Sequence, residues 1–174
     1  MRAKFTAKDL AITAIFLSAA LVLGVVERSI PVDIAIPGVK LGLSNAVVLS
    51  AIYLLSFRQA LAITSLKCVI LMLITGNFAA FLYSLSGALL SFAAMFALAK
   101  LPVTRGRLSP VGISVSGAVC HNIGQISMAA AILGTIKISA YLPVLLISGV
   151  VTGVLVGALV GASLPAVKRA LAVK

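Results

Sequence analysis

The sequence predicts an all-α integral membrane protein, a single domain built as a bundle of about six transmembrane helices. Three observations lead there. Of the 174 residues, 62% are hydrophobic, only 10% are charged, and the mean hydropathy is +1.26. Soluble domains average roughly 45–50% apolar and about 25% charged residues, so these few ionic groups could not cover this much apolar surface in water. The apolar residues also fall in long continuous runs, without the alternation of barrel strands. Lipid offers backbone groups no hydrogen-bond partners, which leaves helices as the structure for such runs.

A spanning helix needs about 20 apolar residues, within a range of roughly 17–25. The first is expected from near Leu10 to Val26. Arg2, Lys4 and Lys8 precede it, but the run lacks an Ala-x-Ala end and reads as a retained helix, not a cleaved signal. Glu27 to Lys40, with Pro31, Pro37 and Gly38, reads as a loop. The second helix is expected from Leu41 to Phe57, followed by a tight turn at Arg58-Gln59 and a third helix from Ala60 to Ile74. Thr75-Gly76-Asn77 makes another turn before a fourth helix from Phe78 to Leu101. A polar loop, Pro102 to Pro110, leads into the fifth, Val111 to Leu133. Gly134 to Ser139 is a short loop, and the last helix runs from Tyr141 to Leu164, stopping at Pro165 before a basic tail.

The cations test this division. With the N-terminus inside, the inner side receives Arg2, Lys4, Lys8, Arg58, Lys100, Arg105, Arg107, Lys168, Arg169 and Lys174. The outer side receives Arg28, Lys40 and Lys137, and Lys67 stays in the membrane. That asymmetry follows the positive-inside rule, and an odd number of spans would spoil it. The expected place is the inner (cytoplasmic) membrane, with both termini cytoplasmic. A net charge of +11 in a soluble protein would suggest nucleic acid. Here the cations sit at the ends of apolar runs, so the expected contact is anionic lipid.

Small residues mark packing faces. Gly149, Gly153, Gly157 and Gly161 recur every four residues along the last helix, the spacing that lets helix backbones approach closely in lipid. The partner is either another helix of this chain or another subunit. Ala7, Ala11 and Ala14, with Ser18, form a weaker stripe on the first helix. Cys68 and Cys120 both fall in apolar segments and read as two buried small hydrophobes.

Ionisable groups inside a span are expensive and tend to face an interior cavity. Lys67 and His121 lie well inside the third and fifth segments, which run the same way, so similar depth is expected. Gly117, His121 and Gln125 share one helical face, with Asn122 about 100° away. Asn45 beside Ser44, and Tyr83 and Ser84, stand near the outer ends of their helices, and Lys40 begins the second. Each has a plain reading: a lone buried histidine is usually a hydrogen-bonded structural residue, Asn77 caps a turn, and Lys40 is a solvated interface lysine. Taken together, however, Lys40, Lys67 and His121 form a cation set with no matching acid nearby in the sequence. Candidate ligand-facing residues are therefore Lys40, Asn45, Lys67, Tyr83, Ser84, His121, Asn122 and Gln125. The ligand they imply is small and partly anionic.

Enzyme chemistry finds little support. A prenyl-diphosphate synthase needs clustered carboxylates to hold magnesium on the diphosphate, and Asp9, Glu27 and Asp33 are scattered with none deep in a span. No phosphate-binding glycine loop, metal-ligand spacing or nucleophile–base set occurs, so no cofactor or metal is expected.

Several stretches resemble a bacterial membrane family. They are Pro37-Gly38-Val39-Lys40-Leu41-Gly42-Leu43-Ser44-Asn45, Phe81-Leu82-Tyr83-Ser84-Leu85-Ser86-Gly87, and Val111 to Gln125 with its His121-Asn122-Ile123-Gly124-Gln125 core. The family goes under two names, Gx transporter and heptaprenyl diphosphate synthase component I. It is similar to the substrate-binding S components of energy-coupling-factor (ECF) transporters. That resemblance implies an outward-facing site for a small molecule, with the long first loop as its gate. It also implies docking on a transmembrane coupling subunit with two ATPases, through small residues on the first helix such as Ala7, Ala11 and Ala14. The other name implies a non-catalytic accessory subunit in isoprenoid or quinone metabolism, or in an associated electron-transfer complex.

Overall fold

The computed structural model of the chain describes residues 6–29, 41–101, 104, 106 and 108–171. Six α-helices follow one another: α1 (Ala7–Ser29), α2 (Leu43–Leu54), α3 (Phe57–Thr75), α4 (Phe78–Lys100), α5 (Pro110–Leu133) and α6 (Leu142–Ala170), with a 3-10 segment at Ile136–Tyr141. No strand occurs among the described residues. The chain is a helical membrane bundle.

Local chemistry sets several helix boundaries. The Thr6 hydroxyl accepts from the Asp9 N–H, and the Asp9 carboxylate accepts from the Thr6 N–H, a reciprocal cap for α1. Ser56 and Gln59 form the same device at the start of α3. Arg58-Gln59 is therefore the first turn of α3 and not the expected turn between helices. Asn77 caps α4 through the Ala80 N–H at 2.9 Å, and Ser109 caps α5 with Pro110 in the first turn. α1 continues to Ser29, so Glu27 and Arg28 are helical and not the start of a loop. α6 continues through Pro165, where a stop was expected, to Ala170. A proline in a membrane helix removes a single backbone bond, and neighbouring groups make that tolerable.

Among the described residues, four helices are long and apolar enough to cross a membrane: α1, α3, α4 and the final one with its 3-10 lead. α5 has 24 residues, enough length, but carries Ser114, Ser116, His121, Asn122 and Gln125. α2 has only 12 residues, a rise of about 18 Å against a hydrocarbon core of about 30 Å. Its position explains this. α2 touches α1, α3, α4 and α6, and Ala46, Val48, Leu49, Ser50, Ala51 and Ile52 are all buried. Its ends meet protein groups, so it need not match the bilayer.

α5 lies between α4 and α6 at close quarters. The α4–α5 crossing is at Gly87 and Gly124: a Cβ on Gly124 would stand 2.9 Å from the Gly87 Cα and from the Ser86 carbonyl oxygen. The Ser86 hydroxyl donates to the Gly124 carbonyl there at 3.0 Å. The α6 glycine stripe faces α5 of the same chain. A Cβ on Gly153 would lie 2.7 Å from the Val115 Cα, Gly157 packs on the Val111 backbone, and Gly149 lies under the Asn122 amide. Gly161 is looser, 3.9 Å from the nearest Pro110 atom. Ala7, Ala11, Ala14 and Ser18 are exposed, and none of the described helices covers them.

Contacts between helix ends fix which termini share a side. The Gln59 amide of α3 donates to the Asp9 carbonyl and the Thr13 hydroxyl of α1 at 3.2 and 3.1 Å, and Lys100 of α4 donates to the Tyr53 carbonyl of α2 at 3.5 Å. Lys8, Arg58 and Lys100 thus lie at one end of the bundle, and Arg28 at the other. Gln59 is buried and fully bonded, so Gln59→Leu removes a helix cap and two interhelix bonds. The expected cost is about 1–3 kcal/mol, read as a lower thermal midpoint in detergent, whereas Arg58→Ala on the exposed side should stay within about 0.5 kcal/mol.

Candidate functional site

All six helices contribute to one cavity of about 110 Å³. A single water needs about 10–15 Å³ by this measure, so the space takes several waters or one small molecule. Its lining changes with depth. At the Arg28 end stand Glu27 and Arg28 of α1, with Thr75 and Asn77 between α3 and α4. The middle holds Ser44, Asn45, Lys67, His121 and Gln125. The far end holds Ser91, Met95, Ser114, Thr152 and Val156.

Lys67 is the central charge. It is 4% exposed, and its ammonium donates to Asn45 Oδ1 at 2.8 Å and Ser44 Oγ at 3.3 Å. The positions follow from the helices: α3 starts from its Ser56 cap and carries Lys67 inward, while the first turn of α2 brings Ser44 and Asn45 to meet it. Gly42, in the left-handed conformation at φ 76° just before α2, donates its N–H to the Glu27 carboxylate. Glu27, Gly42, Asn45 and Lys67 therefore form a continuous polar path down one wall.

Across the cavity, the His121 ring lies against Gly87 of α4, with its Cε1 3.1 Å from where a Cβ would sit. Asn122 is spent differently. Its amide donates to the Leu145 carbonyl and ties α5 to the first turn of α6, so it is a strut as well as a wall. Ser91 is 2% exposed, and its hydroxyl has no hydrogen-bond partner among the described residues. Cys68 lines the wall beside Lys67 and forms no disulfide with Cys120.

Asn45, Lys67, Ser84, His121, Asn122 and Gln125 come together in the lining. Tyr83 is not among the lining residues and sits half-buried on α4 beside Ser84. Lys40 lies outside the described residues. The sequence reading also placed no acid near the cations, and here the structure corrects it. Glu27 joins the lining because α1 extends one turn further than expected. Two basic side chains, Arg28 and Lys67, share the described lining with one carboxylate, Glu27. Ser91, Ser148 and Thr152 were not singled out; serines and threonines in apolar helices are commonplace, and only the fold shows which face inward.

The sequence model of a known family, heptaprenyl diphosphate synthase component I, matches residues 16–163. The chain belongs to this family. The heptaprenyl diphosphate synthase component I match begins inside α1 and ends before Pro165, so every lining residue falls within it. No curated protein and no solved structure matches the chain.

Proposed function

We propose that this heptaprenyl diphosphate synthase component I family member is a substrate-binding or translocating membrane subunit, similar to the S components of ECF transporters. Its ligand is a small, partly anionic molecule. The observation that carries this reading is the buried Lys67 ammonium at the wall of a cavity built by every helix. A cation at that depth is costly, and an anionic ligand group beside it offsets the loss of solvation. Arg28 draws the anion toward the cavity, while His121 and Gln125 supply further donors or acceptors. The Lys8, Arg58 and Lys100 end faces the cytoplasm with both termini, as the positive-inside rule favours in the inner membrane. The exposed Ala7, Ala11 and Ala14 face is then available to a coupling subunit and its ATPases.

The family's name favours a second reading, an accessory subunit in isoprenoid or quinone metabolism or a linked electron-transfer complex. In that role too we read the chain as non-catalytic, since no two carboxylates meet among the described residues. The two described carboxylates, Asp9 and Glu27, lie on α1 18 residues apart, a rise of about 27 Å, and cannot share a magnesium ion. Purification from native membranes, with mass spectrometry of retained small molecules and partners, separates the two. A retained small anion with coupling-subunit and ATPase partners is expected. A soluble prenyl synthase as partner, with no retained small molecule, would overturn the first reading in favour of the second.

A further inference from the structure

A second concavity lies on the outside of the bundle, away from the central cavity. It is a groove of about 550 Å³ between α3 and α4, walled by Phe57, Leu61, Leu89, Phe92 and Phe96 and ending at Lys100. The aromatic walls brace one another. Phe57 meets Phe96 edge-on at 4.9 Å and Phe92 at 5.5 Å, and Phe92 stacks on Phe96 at 5.7 Å. Phe57, Leu89 and Leu101 of its lining remain exposed. Every lining residue is apolar except Lys100. Lys100 is the last residue of α4, and its ammonium reaches the Tyr53 carbonyl in the last turn of α2. Two helix C-termini there stabilise a positive charge. Arg58 follows Phe57 on the same exposed first turn of α3. The groove is thus apolar along its length and cationic at one end.

We infer that this groove holds an acyl chain of an anionic phospholipid, with the phosphate resting on Lys100. The solvent around a spanning helix is lipid, so chains and not water fill an apolar groove on its surface. Braced aromatic walls give the chain a fixed shape to pack on. The groove's polar end coincides with the end that carries Lys8, Arg58, Lys168 and Arg169, where anionic headgroups concentrate. This lipid site does not depend on what the central cavity binds.

The test uses the purified, delipidated full chain titrated with palmitoyl-oleoyl phosphatidylglycerol or the matching phosphatidylcholine, with bound lipid counted by native mass spectrometry. Retention of one phosphatidylglycerol about fivefold over phosphatidylcholine is expected, since each lysine near the surface favours anionic lipid by about that factor. Lys100→Gln should erase the preference, Lys100→Arg should keep it, and Phe57→Ala should weaken both lipids alike. Equal retention of the two lipids, or a preference that survives Lys100→Gln, overturns the proposal. So does preferential displacement of the phospholipid by farnesyl diphosphate, which would make the occupant an isoprenoid.

Discussion

Gly124→Val is expected to disassemble the α4–α5 crossing. A Cβ at Gly124 would sit 2.9 Å from the Gly87 Cα and the Ser86 carbonyl oxygen, both backbone atoms. Neither can move aside without moving α4 itself. Overpacking of this kind costs about 3 kcal/mol, and separating the helices also strains the Ser86–Gly124 hydrogen bond. His121 lies against the same crossing, so the cavity wall shifts with it. The chain has no tryptophan, so unfolding is best followed with a thiol-reactive dye that reports exposure of the buried Cys68. A thermal midpoint many degrees below wild type is expected. Gly161→Ala is the control: its nearest neighbour stands 3.9 Å away, and its midpoint should not change. An unaltered midpoint in Gly124→Val would mean that α4 and α5 do not cross here.

Lys67→Met should lower retention of the native small molecule about 100-fold while leaving the bundle folded. Truncating one member of a buried charged contact costs about 2–5 kcal/mol, and methionine keeps the length of the chain without the charge. Lys67→Arg keeps the charge but not the compact head that fits between Asn45 and Ser44, so intermediate retention is expected. His121→Ala should reduce retention less, because it leaves the central lysine and its Asn45 and Ser44 contacts in place. Retention unchanged in both Lys67→Met and His121→Ala would remove the central cavity as the binding site.

The number of helices was legible because hydropathy and cation placement agree on it. The errors have physical causes. Arg58-Gln59 looked like a turn because two polar residues interrupted an apolar run, yet Ser56 three residues before Gln59 is the capping-box pattern that marks a helix start. Pro165 looked like a stop because a proline usually ends a helix in water, where the lost bond is easily replaced by solvent. The site was partly legible. His121, Asn122 and Gln125 stood out as polar groups in an apolar helix, and Lys67 as an unusual charge. Their meeting with Glu27 was not, since 40 residues of chain separate Glu27 from Lys67 and the packing of α1 on α2 and α3 joins them. Nor could the sequence tell that Asn122 is already engaged by the Leu145 carbonyl.

α5 carries the polar groups of the cavity and lies between α4 and α6, and this bears on how the protein is made. Each polar side chain at the centre of a helix works against its transfer from the insertion machinery into lipid. α5 therefore enters the bilayer poorly as a solitary segment. With α4 just before it and α6 just after, it can leave the machinery in company, its polar face turned toward Ser86, Ser91 and Ser148 of its neighbours. The polar residues that line the cavity thus bear on the order of assembly, and α4 through α6 would be the unit that integrates together.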